Sequence, residues 1–322
     1  MASRYIRNTA ILAKIEGTYG VDPSPAEAAN AILVSNVTIN PLNANNVDRD
    51  LIRSFMGASE QLVGTAYVEM SFDVEFAGAG AAGTAPAYGP LLRACGYAET
   101  VSGGIRVEYN PVTPVVDSVT IYWFSDGAKH IAKGCRGSWS IKMGVGARPV
   151  FSFKFLGIDG GITAATPSAL TLTAFKTPLV ITDPNTGDVT FGATYTPATP
   201  TLTGGTGYPS QGLDLDSGNA VNYTPLLGGE TIDVTNRAVS GSVVLDLTAA
   251  QEVTFMGNVK ANTLQSIGLM HGTTAGYKVM LFAPAAQLIN PKKVDVNGKL
   301  MIGYDVRLTP SAGNDDLKIV VH

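Results

Sequence analysis

Tyr67-Val-Glu-Met-Ser-Phe-Asp-Val-Glu-Phe76 alternates without a break. Val68, Met70, Phe72, Val74 and Phe76 fall on one face, and Glu69, Ser71, Asp73 and Glu75 on the other. Successive side chains of a strand point to opposite faces, so this pattern predicts a strand with one face packed and one in water. Strands of a buried parallel sheet are apolar at both parities, so the stretch points to an antiparallel, mainly β fold.

Working outward, Val150-Phe-Ser-Phe-Lys-Phe-Leu156 repeats the pattern, with Phe151, Phe153 and Phe155 opposite Ser152 and Lys154. Gly144-Val-Gly-Ala-Arg-Pro149 turns it back onto a strand Ser138–Met143. Further strands are predicted at Ile32–Leu42, Arg106–Tyr109, Ser118–Phe124 and Lys129–Lys133, with a short helix Tyr88–Cys95 stopped by Gly96. Residues 43–64 read as a long polar loop carrying Asp48, Arg49, Asp50, Leu51, Ile52, Arg53, Phe55 and Met56. Loops of this length are usually functional, and these apolar residues need a partner to cover them.

The back half follows the same order. Val221-Asn-Tyr-Thr-Pro225-Leu226 parallels Val37-Thr-Ile-Asn-Pro41-Leu42. A strand Ser242–Leu247, a helix Ala249–Val259, a strand Tyr277–Phe282 and a hairpin ending in Met301–Leu308 follow. Identity between the halves is slight, so the repeat is one of pattern. It divides the chain into an arm at 1–31, a first β unit at 32–157, a Gly/Pro/Thr-rich insertion at 158–218 and a second β unit at 219–322. In the arm, Ser24-Pro25-Ala-Glu27 reads as a capping box opening a helix over Pro25–Ala31. The insertion holds possible strands at Leu179–Thr182 and Val189–Phe191, and Leu317–Val321 is a terminal strand.

Of the 322 residues, 45% are hydrophobic and only 15% are charged, below the usual proportion of charge. So uncharged a surface suits a protein covered by copies of itself. A net charge of −4 gives no basic footprint for gripping nucleic acid. Cys95 and Cys135 make no disulfide framework. No run reaches the ~18 apolar residues of a membrane helix, and Met1–Arg7 lacks the apolar core of a signal peptide. The expectation is a soluble protein, made and assembled in the cytoplasm and without contact to a membrane.

Gly78-Ala-Gly80-Ala-Ala-Gly83 matches a dinucleotide fingerprint, but Thr84-Ala-Pro86 and Pro90 separate it from any helix whose N-terminus could hold a pyrophosphate. His130, His271 and His322 lack metal-ligand spacing. Glu69 and Asp73 fit a solvated strand face better than a general acid/base pair. Asn36-Val-Thr38 and Asn222-Tyr-Thr224 are glycosylation sequons with no sign of secretion beside them. Nothing makes a case for an enzyme, and no cofactor is expected.

The run Ala13-Lys-Ile-Glu-Gly-Thr-Tyr-Gly-Val-Asp-Pro23 resembles the start of tail tube proteins (major tail proteins) of long-tailed, siphovirus-like bacteriophages and prophages. So do Ala31–Val37, Asp48–Arg53 and Thr84–Gly96, and in the back half Tyr208–Leu213, Leu245–Glu252 and Pro310–Asp316. The resemblance implies tandem β-sandwich or half-barrel units, each with a short flanking helix. It implies a structural virion protein of the phage tail, whose units close into rings that stack into a tube for DNA ejection. Family rings hold six units, so two units per chain imply a trimer with pseudo-sixfold symmetry; a hexamer is the alternative. Tape measure and tail terminator or distal tail proteins are the implied partners, and DNA passes without specific binding.

On this basis the lumen is expected to be lined by Glu69, Asp73, Glu75, Ser152 and Lys154, with Asp246, Asp305 and Arg307 from the second unit. The loop 43–64 and the arm are expected to join stacked rings, with Arg49 and Arg53 beside Asp48 and Asp50 setting register. The competing reading is a fibre or carbohydrate-binding β-sandwich. Such sites expose aromatics, whereas Trp123 and Trp139 lie in apolar strands and are expected to be buried.

Overall fold

The computed structural model describes residues 3–114 and 117–322. The chain opens with β1 (Thr9–Ile15), α1 (Glu27–Asn30), β2 (Ala31–Ile32), β3 (Ser35–Asp48) and β4 (Gln61–Glu75). Next come α2 (Gly89–Ala94), β5 (Tyr97–Ser102), β6 (Arg106–Pro111), β7 (Val119–Ser125), β8 (Ala128–Gly144) and β9 (Val150–Ala164). Short strands follow: β10 (Val189–Phe191), β11 (Thr194–Thr196), β12 (Thr201–Thr203), β13 (Thr206–Tyr208) and β14 (Ser210–Asp216). The remainder is β15 (Ala220–Leu226), β16 (Gly229–Asn236), β17 (Ser240–Leu245), α3 (Ala249–Lys260), β18 (Leu264–His271), β19 (Val279–Val296), β20 (Lys299–Leu308) and β21 (Lys318–Val321). The protein is mainly β, and its sheets are antiparallel.

Two runs share one order of pairing. In the front half it is β3-β4-β9-β8-β7-β1. In the back half it is β14-β17-β20-β19-β18-β10. In each run a strand leads to a helix, a second strand and a long hairpin, whose last strand returns to pair with the first.

The alternation seen in sequence builds the core. Val74 faces Phe151, Phe72 faces Phe153 and Met70 faces Phe155 across β4 and β9, all buried. Phe72 and Phe155 stack with centroids 5.9 Å apart, and Trp139 meets Phe151 edge-on at 5.6 Å. In the back half Leu245 faces Ile302 and Val243 faces Tyr304 in the same way. The expected helix α2 ends at Gly96, whose φ of 86° suits glycine. At α3 the Thr248 side chain accepts from Gln251 N while Gln251 Oε1 accepts from Thr248 N, closing a capping box.

Several expectations change. The stretch 1–31 has a core place: β1 pairs with β7 along its whole length, and Ile11 and Leu12 are buried. An isolated reading of 1–31 misses this, because the strand that pairs with it along its whole length, β7, lies more than 100 residues away. The capping box at Ser24–Glu27 does not form; Ser24 has φ 52°, and α1 starts after Ala26 without a side-chain cap. The strands bounding the predicted loop 43–64 continue through it, so only residues 49–60 stay open. Three register shifts let β3 and β4 stay paired through a stretch with no clean alternation. Lys129–Lys133 and Ser138–Met143 merge into the single strand β8. Within 158–218, β9 runs to Ala164, β10, β13 and β14 join the main sheet, and β11 and β12 form a separate two-stranded sheet; Leu179–Thr182 forms no strand. Val221–Leu226 lies in a separate two-stranded sheet, whereas its sequence counterpart Val37–Leu42 lies in β3.

Candidate assembly surface and lumen face

The last part of β8 links the two runs. Its first part pairs with β7, but Ser140–Gly144 pairs with β14, placing Met143 opposite Leu213 and Ile141 opposite Leu215. The result is one antiparallel sheet of eight strands, β3-β4-β9-β8-β14-β17-β20-β19. One face is the apolar core. The other carries the polar parity of every strand.

Each residue expected in the lumen lies on that polar face. Glu69 Oε1 meets Lys154 Nζ at 2.6 Å, and Glu75 accepts from Arg148 at 2.8 Å. Asp73 accepts from Ser152 Oγ at 2.6 Å and from Asn36 Nδ2 at 2.7 Å. In the back half Asp246 pairs with Lys299, and Asp305 accepts from Asn290 Nδ2 at 2.9 Å with Lys292 Nζ 3.6 Å away. Arg307 is exposed beside them. The acidic look of β4 alone is therefore offset by basic residues on neighbouring strands. Such exposed pairs contribute less than about 1 kcal/mol each, so they balance surface charge more than they stabilise the fold.

Sequence reading missed the middle of this face: Ser138, Ser140 and Lys142 of β8, with Asp214 and Asp216 of β14. The alternation Leu213-Asp-Leu-Asp216 was present, but sat in a stretch whose glycines and prolines read as linker. A hairpin, β15–β16, lies over one end of the face. Arg136 fixes it by donating to Ile232 O at 2.8 Å and Asp233 Oδ1 at 2.6 Å, and Tyr223 meets Tyr67 with centroids 5.2 Å apart.

The eight residues expected to join rings, Asp48, Arg49, Asp50, Leu51, Ile52, Arg53, Phe55 and Met56, cluster at the open tip of the β3–β4 hairpin. Ile52 and Met56 are fully exposed. Arg49 and Arg53 both pair with Glu60, just before the returning strand, and Asp48 accepts from Gln61 Nε2 at 2.6 Å, so these charges brace the hairpin itself. Arg53 also lies 5.9 Å from the Phe55 ring.

At each end of the eight-stranded sheet the outermost strand has an edge without a partner among the described residues. β3 pairs with β4 alone. β19 pairs with β18 only as far as Gln287, leaving its last part bonded to β20 on one side and open on the other. Val37 and Ile39 of β3 are half-buried, where their counterparts Leu213 and Leu215 of β14 are fully buried.

Trp123 and Trp139 are buried, and Trp123 stacks on His130 at 4.4 Å. His271 bonds Thr186 Oγ1 at 2.7 Å and Leu179 O at 3.1 Å, holding the connection between β9 and β10. Among the described residues no group of His, Cys, Asp and Glu has metal-binding geometry, and no helix is long and apolar enough to cross a membrane. No curated protein matches this sequence. A family model described as phage tail tube protein matches residues 6–308, nearly the whole of this open-edged β structure, and the chain belongs to that family.

Proposed function

We propose that this protein closes into trimeric rings with pseudo-sixfold symmetry, and that the rings stack into the conduit through which DNA leaves the virion. The observation that carries this reading is the β8–β14 joint. It joins β8 of the front run to β14 of the back run, and their counterparts in the other run, β19 and β3, each present a free edge at the ends of the sheet. Pairing β19 of one copy with β3 of the next repeats the internal joint, buries Val37 and Ile39 as Leu213 and Leu215 are buried, and removes both open edges. Three copies then supply six similar units. The two halves act as tandem tail-tube units, and the polar face of the eight-stranded sheet turns inward.

Glu69, Asp73, Glu75, Ser152, Lys154, Asp246, Asp305 and Arg307 then face the lumen. Their interspersed signs leave no basic stripe to hold phosphate, so DNA slides past. The role is structural, without catalysis, with assembly in the host cytoplasm and with tape measure and terminator or distal tail proteins at the ends of the tube. Electron microscopy and native mass spectrometry of the purified chain test it. Rings of three copies that stack into tubes are expected. Rings of six copies overturn the trimer, and a chain that stays monomeric under all assembly conditions overturns the tube.

A further inference from the structure

The strand connection that forms the β3–β4 tip has a counterpart in the back half. Between β14 and β17, the positional equivalents of β3 and β4, the chain leaves the main sheet and builds β15–β16. The base of this hairpin is fixed. Ser217 N bonds Trp139 O at 2.9 Å, Asn219 Nδ2 donates to Gly137 O at 2.9 Å, and Ile232 N donates to Tyr19 Oη at 2.6 Å. These contacts pass from Trp139 through Gly137 to Arg136, so the hairpin runs toward the start of β8. The start of β4 lies at that same end, because β4 and β8 are both antiparallel to β9. Both hairpins therefore point one way. The second also ends in bare apolar residues: Leu226 is 65% exposed and Leu227 is completely so.

At the opposite end of the same strands, the β8–β9 turn and the start of β14 bound a cavity of about 150 Å³. It is an open cleft of mixed lining: Met143, Val145, Ile181 and Leu269 give it an apolar side, and Asp183 and Asp188 are among its polar residues. A space of about 150 Å³ is on the scale of a benzene-sized group, and so of a leucine side chain, which would lie against the apolar part of this lining.

We propose that the β15–β16 tip is a second axial connector, seating Leu226 and Leu227 in this cavity on a copy of the chain in the next ring. This rests on the tube reading. Each ring then presents two kinds of contact in alternation, the charged and aromatic tip of residues 49–60 and the leucine tip of 226–227. The second kind needs no charge pairing and has a preformed seat.

The test uses the full chain with a photoreactive benzoylphenylalanine at position 227, and separately the double substitution Leu226→Asn, Leu227→Asn. Both sites are exposed, so an unchanged melting temperature checks folding. In tubes, irradiation is expected to join position 227 to residues 143–147, 181–188 or 209–212 of another copy. The double variant is expected to form rings of normal size but tubes at least several-fold shorter. Adducts confined to their own chain, or double-variant tubes of normal length, overturn the connector while leaving the tube reading intact. A wild-type chain that forms no tubes overturns both.

Discussion

Glu16 is a carboxylate at 7% exposure, and all but one of its four partners come from more than 100 residues away. Oε2 accepts from Ser118 Oγ at 2.6 Å and Gly20 N at 2.7 Å, and Oε1 from Thr120 Oγ1 at 2.6 Å and Gly134 N at 2.7 Å. It ties the end of β1 to β7 and to the bend of β8. Unsatisfied buried donors cost ~1–3 kcal/mol each, so Glu16→Ala should lower stability by about 3 kcal/mol or more, read as a lower urea midpoint. Glu16→Gln keeps one of the two oxygens and should lose roughly half as much. His322 makes a second residue-scale case. Burial, reinforced by the charge of Lys278, pushes its pKa down to about 4 from the ordinary 6.5. The folded-state value is the depressed one, so the unfolded chain takes up a proton first as pH falls. Stability is therefore full above about pH 6.5 and drains between there and about pH 4, by on the order of 3 kcal/mol. Burial lowers His130 and His271 in the same direction. Urea titrations at pH 7 and pH 4.5 should show this loss, and His322→Phe should remove much of it. A pH-independent midpoint refutes the assignment.

At the scale of elements, the aromatic ladder between β4, β9 and β8 fills the core of the front half. Phe153 touches Phe72, Phe151 and Phe155 with centroids 5.5–6.2 Å apart. Phe153→Ala should cost about 3–5 kcal/mol by opening a cavity that the long paired strands cannot collapse around. The β3–β4 tip behaves in the opposite way, because it is exposed and braced only by its own charges. Replacing residues 49–60 with a tight Asn-Gly turn should leave the melting temperature nearly unchanged while rings fail to stack, visible as single rings by electron microscopy. Tubes of normal length from that variant assign the tip a role within its own subunit. The reading of 43–64 as a loop caught the exposed apolar residues but missed the paired stem. Asn, Pro and Ala dominate Pro41–Asn46, and the register shifts that keep them in the ladder erase the local alternation.

At the scale of the molecule, the long strands β8 and β19 each serve two sets of partners along their length. β21 ties β19 to the front half by pairing with both β19 and β6. The ring proposed for this chain uses the same device outside the subunit that β8–β14 uses inside it. A proline scan of Val37–Asn40 checks this. At positions whose N–H points away from β4, proline should leave the monomer folded and abolish ring closure, because it removes a donor from the open edge. Rings that survive every such substitution mean that β3 is not the closing edge.

Local periodicity determined what this sequence could say by itself: the strand faces of Tyr67–Phe76 and Val150–Leu156, the helices after β4 and β17, the order of elements in each half, and hence a mainly β protein with one watery face. Those features depend on residues one to four positions apart, so they survive in the bare sequence. Only the tertiary structure decided which edges meet. β1 found its core against β7, Ser210–Asp216 became the strand joining the halves, and Glu16 gathered donors from residues 20 to 134. Pairing across such separations is chosen by the burial of whole faces and the satisfaction of buried polar groups, which no short stretch of sequence records.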